Sequence, residues 1–80
     1  MRVRVRTLSD NERKRLNGAV WSPHDPVTSR FASVILFSSL GLPPNAVKKL
    51  TKFEDETIAE IIQAFNEKGL LILEPRNGVG

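Results

Sequence analysis

The stretch FEDETIAEIIQAFNEKGL, residues 53–70, carries the strongest secondary-structure signal in this chain of 80 residues. Its apolar side chains recur at the i, i+3, i+4 and i+7 spacing of one helical face: Ile58, Ile61, Ile62 and Phe65. Gly69 follows, and glycine is a common residue at the end of a helix. The spacing therefore predicts a helix over 55–68. Residues 54–67 contain five acids and no lysine or arginine, so this helix is also strongly acidic.

Three further helices are predicted upstream of this one. Ser9 followed by Glu12 is a capping-box pattern, which indicates the start of a helix over 9–20. A second helix, over 26–40, starts with a proline and is apolar on most sides, so we expect it to be the buried centre of the domain. A third and shorter helix, over 44–51, begins at a proline pair.

These elements predict an all-α fold, a small helical bundle of about four helices. The third and fourth helices with their short connection form a helix-turn-helix. Residues 1–8 form a basic N-terminal arm, residues 9–70 the helix-turn-helix domain, and residues 71–80 a C-terminal extension or linker. The segment LLILEP, residues 70–75, is open to a short strand or an extended docked segment.

Composition restricts the classes of function. The chain has no cysteine and one histidine, which excludes disulfides and thiolate chemistry and predicts no metal site and no cofactor. Its longest apolar cluster has six residues, far short of a membrane-spanning helix, and its N-terminus is not a secretory signal. We therefore expect a cytoplasmic protein without a membrane partner. With no nucleophile–base pair and no phosphate-binding loop, neither an enzyme nor a small-molecule substrate is predicted.

The distribution of charge says more about partners than the net charge of +3. Residues 1–15 hold six arginines and lysines against two acids, whereas the predicted fourth helix is acidic. Three lysines stand just before that helix: Lys48, Lys49 and Lys52. Such asymmetry is typical of a protein that binds a charged partner.

The sequence also resembles the N-terminal DNA-binding domain of mariner-like bacterial insertion-sequence transposases. The resemblance rests on RVRTLSDNERKRL, SRFASVILFSSLGLPPNAVKKL and TIAEIIQAFNEKGLLILEPRNG, which together span nearly the whole chain. It implies a homeodomain-like helix-turn-helix that binds double-stranded DNA, and a module that lacks the separate nuclease domain of that family. Four features differ from the family pattern: Pro43 replaces a capping serine or threonine, Lys52 replaces a glycine in the turn, EDET replaces a basic start of the recognition helix, and AEIIQA replaces an arginine-rich middle of that helix.

From the residues and the resemblance together we predict the DNA contacts. Basic side chains are expected to bind phosphates or enter a minor groove, and Gln63 to read adenine. The predicted DNA-binding residues are Arg2, Arg4, Arg6, Lys48, Lys49, Lys52, Thr57 and Gln63.

Two alternatives remain open at the level of sequence. The acids near the groove-facing positions of the fourth helix oppose binding to a polyanion. The chain is therefore also interpreted as a protein-interaction module that keeps the fold without DNA affinity, docking a basic protein partner or forming a homodimer. A winged helix is the other alternative, because KGLLILEPRNGVG resembles a strand and wing after a recognition helix.

Overall fold

The computed structural model describes residues 4–21 and 26–73. These residues form α1 (Asp10–Val20), α2 (Pro26–Ser39), α3 (Pro44–Thr51), α4 (Asp55–Lys68) and a short 3-10 helix (Gly69–Leu73). No β-strand occurs in those two ranges. The predicted all-α bundle of four helices is confirmed, and the two helices of the predicted helix-turn-helix, α3 and α4, are joined by three residues.

The helix boundaries follow from local chemistry. The Ser9 side chain accepts a hydrogen bond from the Glu12 backbone N–H, and the Glu12 side chain accepts one from the Ser9 N–H, so the predicted capping box is present. Just after α2, Gly41 has φ +93°. This is the left-handed conformation in which glycine commonly follows the end of a helix. Each predicted helix therefore matches the observed one to within a residue at either end.

Helix α2 is the centre of the domain, as predicted. It contacts the other three helices and the 3-10 helix, and α3 also contacts α4. In the described part of the chain, ten apolar residues form the buried core: Leu8, Leu16, Ala32, Val34, Ile35, Val47, Ile58, Ile61, Ile62 and Phe65. Because every helix contributes at least one of these side chains, the apolar area removed from water holds all four together.

Two hydrogen bonds to α2 show how its neighbours are arranged. The Ser29 hydroxyl donates to the Val20 carbonyl at the end of α1, and the Arg30 guanidinium donates to the Thr51 carbonyl at the end of α3. Both bonds lie in the first half of α2, so α1 and α3 each end beside its N-terminal half. Since successive helical residues point about 100° apart, α1 and α3 approach α2 from different sides.

The chain after α4 differs from the expectation. Residues 70–73 are part of a 3-10 helix, not a strand or an extended segment. Gly69, at φ +64°, turns the backbone at the end of α4, and Leu70, Ile72 and Leu73 then pack against the core, which a tight helical turn permits. The prediction of an extended segment is therefore wrong for these residues. The rest of that segment and the proposed wing turn lie outside the described residues.

Candidate nucleic-acid interface

The helix-turn-helix unit consists of α3, the connecting residues Lys52, Phe53 and Glu54, and α4. Lys52 adopts φ 68° and ψ 18°, and its backbone N–H donates to the Lys48 carbonyl at 2.8 Å. A lysine thus occupies the left-handed position for which glycine is favoured. Neither α3 nor α4 has a side-chain cap hydrogen bond at its N-terminus, where Pro43 and Glu54 stand.

The turn is held in place by Arg30 of α2. Its guanidinium donates to the Thr51 carbonyl from Nε at 3.1 Å and from Nη2 at 2.8 Å, and lies 4.3 Å from the centre of the Phe53 ring. Phe53 in turn packs on Phe31 with ring centres 6.0 Å apart. Arg30 therefore caps the C-terminus of α3 and covers the turn. The only sequence signal for this role is that Arg30 is the one charged residue in a helix of small and apolar residues. Its partner Thr51 lies 21 residues further along the chain, so no local sequence pattern indicates the contact.

The three lysines predicted to contact DNA differ in their exposure and in whether they form an ion pair. Lys49 and Lys52 are both exposed; Lys49 lies in the last turn of α3, and Lys52 is the left-handed residue at which α3 ends. Lys48 is half-buried and forms an ion pair with Glu54, at 3.7 Å between Nζ and Oε1. Such an exposed pair contributes little, about 0 to 1 kcal/mol, so Lys48 is held only weakly.

The outward face of α4 is acidic. Its most exposed line of residues follows the i, i+4, i+7 and i+11 positions: Glu56, Glu60, Gln63 and Glu67. Gln63 is therefore accessible, as expected of a base-reading side chain, but acids flank it along the helix. Thr57 is half-buried beside that line. Asp55 and Glu56 also lie in the first turn of α4, where the helix dipole stabilises negative charge.

The N-terminal arm is docked from residue 4 onward. The Asn66 side chain accepts a hydrogen bond from the Arg6 backbone N–H at 2.9 Å and donates one to the Arg4 carbonyl at 2.8 Å. The Asn66 amide therefore satisfies one backbone N–H and one backbone carbonyl of the arm, as the backbone of a neighbouring strand would. Val5, between the two arginines, packs against the core. Arg4 remains exposed, whereas Arg2 lies outside the described residues.

Arg6 is engaged inside the domain. Its guanidinium forms two hydrogen bonds with the Glu12 carboxylate, at 2.8 and 2.6 Å, and lies 4.7 Å from the centre of the Phe65 ring. The hydrogen bonds from Arg6, with those from Ser9, lower the pKa of Glu12 from 4.5 to about 2. The sequence placed Arg6 in a DNA-binding arm; in the structure this side chain joins the arm to α1 and α4.

Within residues 4–21 and 26–73, no group of three or more histidines and acids is arranged to hold a metal ion. Helices long and apolar enough to cross a membrane are likewise absent from these two ranges.

The predicted contact residues thus fall into three groups. Lys49, Lys52 and Lys48 stand at the end of α3, Thr57 and Gln63 lie on an acidic α4, and Arg4 and Arg6 belong to a docked arm. No protein-family model, curated protein or solved structure matches the chain, so the transposase resemblance remains a prediction.

Proposed function

We propose that this domain binds double-stranded DNA through its helix-turn-helix, as the N-terminal module of a transposase or a regulator. The observation that carries the proposal is the pair Lys49 and Lys52, both exposed where α3 ends and the chain turns into α4. Helix-turn-helix proteins commonly use this region to contact the DNA backbone. Cations at such a position displace counterions from phosphates, which supplies most non-specific affinity.

The acids of α4 shape the expected mode of binding. With Glu56 and Glu60 flanking Gln63, a deep insertion of α4 into the major groove brings carboxylates towards phosphates, which is unfavourable. We therefore assign the main contacts to Lys49 and Lys52, with Lys48 joining when it leaves Glu54. Base recognition is limited to Gln63, through adenine, and to carboxylates that accept from cytosine.

The test is the salt dependence of binding to a duplex of about 20 base pairs, followed by fluorescence anisotropy. The double variant Lys49→Gln/Lys52→Gln should lower the slope of log K against log salt by about 1.8, since each phosphate contact contributes about 0.9. Lys68→Gln removes an exposed cation at the far end of α4 and is the control. Wild-type protein that shows no salt-dependent binding would contradict the proposal.

Exposed apolar side chains favour a second candidate, a protein-interaction module. Among residues 4–21 and 26–73, five large apolar residues are more than half exposed: Trp21, Val27, Leu40, Leu50 and Leu71. Exposed apolar side chains that lie together as one large patch mark a protein-interaction surface. Homodimer formation is one form of this candidate. Light scattering coupled to size exclusion tests it, and a monomer at every concentration measured, with Leu50→Gln behaving as wild type, would count against it.

A further inference from the structure

Arg30 is a cation at the turn of the helix-turn-helix that the sequence did not assign to DNA binding. Its guanidinium donates from Nε and Nη2 to the Thr51 carbonyl, at 3.1 and 2.8 Å. That carbonyl belongs to the peptide bond that leads into Lys52, so the charge of Arg30 lies next to the backbone of this lysine. Arg30 as a residue is exposed, and its two hydrogen bonds are only partly buried.

The charge of Arg30 is not neutralised in the described part of the chain. Two ion pairs occur there and neither includes Arg30: Arg6 with Glu12, and Lys48 with Glu54. The acid of the turn, Glu54, is thus paired with a lysine. Arg6 donates to a carboxylate, which offsets its charge, whereas Arg30 donates to a neutral backbone carbonyl. The carbonyl therefore positions the guanidinium and leaves its positive charge available to an anion.

Arg30 also keeps hydrogen-bond donors for a second acceptor. A guanidinium carries donors on all three of its nitrogens. The bonds to Thr51 use the Nε proton and one on Nη2. The other donors, on Nη1 and Nη2, form no hydrogen bond within residues 4–21 and 26–73. Arginine binds phosphate oxygens in this way, with two nitrogens of a planar fork.

The guanidinium is positioned before any partner binds. It lies 4.3 Å from the centre of the Phe53 ring, and Phe53 packs on Phe31 with ring centres 6.0 Å apart. Thr51, whose carbonyl it contacts, is buried, and the Thr51 hydroxyl donates to the Val47 carbonyl at 2.7 Å. A side chain that is already ordered loses less conformational entropy on binding than one that moves freely in solvent.

We propose that Arg30 binds a phosphate of the duplex that Lys49 and Lys52 contact, while its other edge keeps its hydrogen bonds to Thr51. The inference rests on the proposed function, which supplies the partner, and adds a binding residue from α2. One side chain then both caps the end of α3 and contacts the DNA backbone. The contact surface is therefore built from two helices and the turn between α3 and α4.

Two variants of Arg30 test the contact through the salt dependence of duplex binding. Arg30→Met removes the charge, so the slope of log K against log salt should fall by about 0.9, the contribution of one phosphate. Arg30→Lys keeps the charge, so the slope should return to that of wild type. Its affinity should stay lower, because a single nitrogen does not replace the two edges of the guanidinium. Lys68→Gln removes an exposed cation at the far end of α4 and should leave the slope unchanged.

The slope separates a phosphate contact from a purely structural role. If Arg30 only holds the turn, Arg30→Met lowers the affinity by the same factor at every salt concentration and does not change the slope. That result overturns the inference and leaves the proposed function in place. Far-ultraviolet circular dichroism at the temperature of the titration verifies that each variant is folded.

A measurement on the wild-type domain does not depend on the stability of Arg30→Met. The hydrogen bond to Thr51 slows exchange of the Arg30 Nε proton with water, so its proton–nitrogen signal is observable by NMR, and the signal is assigned by its loss in Arg30→Lys. It should shift when duplex is added and return as salt is raised. A signal that stays in place while the backbone amides of Lys49 and Lys52 shift overturns the inference alone. Duplex that moves none of these signals overturns the proposed function as well.

Discussion

Two arginines, Arg6 and Arg30, stand in similar settings at different junctions of the molecule. Each guanidinium covers a phenylalanine ring, Phe65 for Arg6 and Phe53 for Arg30, at 4.7 and 4.3 Å from the ring centre. The Arg6 guanidinium also forms two hydrogen bonds to Glu12 and one to the Thr7 carbonyl, and that of Arg30 forms two to the Thr51 carbonyl. One ties the N-terminal arm and α1 to α4; the other ties α2 to the helix-turn-helix.

The two arginines differ in the group that accepts their hydrogen bonds. Arg6 donates to the carboxylate of Glu12, whereas Arg30 donates to the backbone carbonyl of Thr51. A carboxylate takes up a proton in acid and a carbonyl does not. We therefore expect the junction at Arg6 to depend on pH and the junction at Arg30 to be constant. The surface that carries the proposed DNA contacts of α3 is thus held by the contact that does not titrate.

The largest expected effect is at Arg30. Arg30→Met keeps much of the side-chain volume over Phe53 but leaves the Thr51 carbonyl without its charged donor. Hydrogen bonds to charged groups contribute about 1.5 to 3 kcal/mol, so we expect the free energy of unfolding to fall by about 2 kcal/mol. Urea denaturation measures it, with Arg15→Met, a change at an exposed arginine, as the control. If the two variants are equally stable, Arg30 does not hold the turn.

A smaller effect is expected where the Arg6 junction meets the end of α4. Gly69 has φ +64° and ψ −141°, and a Cβ there would lie 3.1 Å from Arg6 Nη2. Strained backbone of this kind costs about 1 to 3 kcal/mol, so Gly69→Ala should destabilise the domain by roughly 1.5 kcal/mol.

Gly18→Ala is the matched control for that substitution. It lies within α1 and meets no atom, so it should stabilise the domain by up to about 1 kcal/mol. Thermal unfolding of both variants gives the signs directly. A Gly69→Ala variant at least as stable as wild type would contradict the strain expected at that position.

Sequence reasoning found the helices because their signals are local. The capping box at Ser9, the prolines at the start of α2 and α3, and Gly69 after α4 each act within one or two turns of the chain. The two arginine junctions were missed for the opposite reason. Asn66 reaches Arg6 across 60 residues, and Arg30 reaches Thr51 across 21. In the sequence, a polar side chain that forms such a long-range hydrogen bond cannot be distinguished from one that faces water.

In the candidate site too, local sequence patterns predicted some features and long-range contacts were missed. Exposure of Lys49, Lys52 and Gln63 was predictable, because the apolar spacing of α3 and α4 fixes which sides face the core. The pairing of Arg6 was not, since a basic arm before a helix is usually interpreted as free in solution. The 3-10 helix at 69–73 was also missed, because a short apolar run fits a strand and a buried helical turn equally well.

The smallest expected effect concerns pH and compares the two junctions directly. The pKa of Glu12 is about 2 in the folded domain and 4.5 as its ordinary value. A carboxyl with a lowered folded-state pKa stabilises the fold fully above its unfolded pKa. That contribution is lost as pH falls from about 4.5 towards 2. Glu12 and Arg6 are both partly exposed, at 15% and 38% of their side chains, so screening limits the contribution to about 1 kcal/mol.

Glu12→Gln isolates this contribution. The amide keeps the volume of the side chain and an acceptor oxygen for Ser9 and Arg6, but it carries no charge to lose in acid. Urea denaturation at pH 6 and at about pH 3 should show a smaller loss of stability for Glu12→Gln than for wild type, although the variant is less stable at pH 6. Asp10→Asn, a change at an exposed acid of the same helix turn, is the matched control. If Glu12→Gln keeps the wild-type difference between the two pH values, the Arg6 junction is no more sensitive to acid than the one at Arg30.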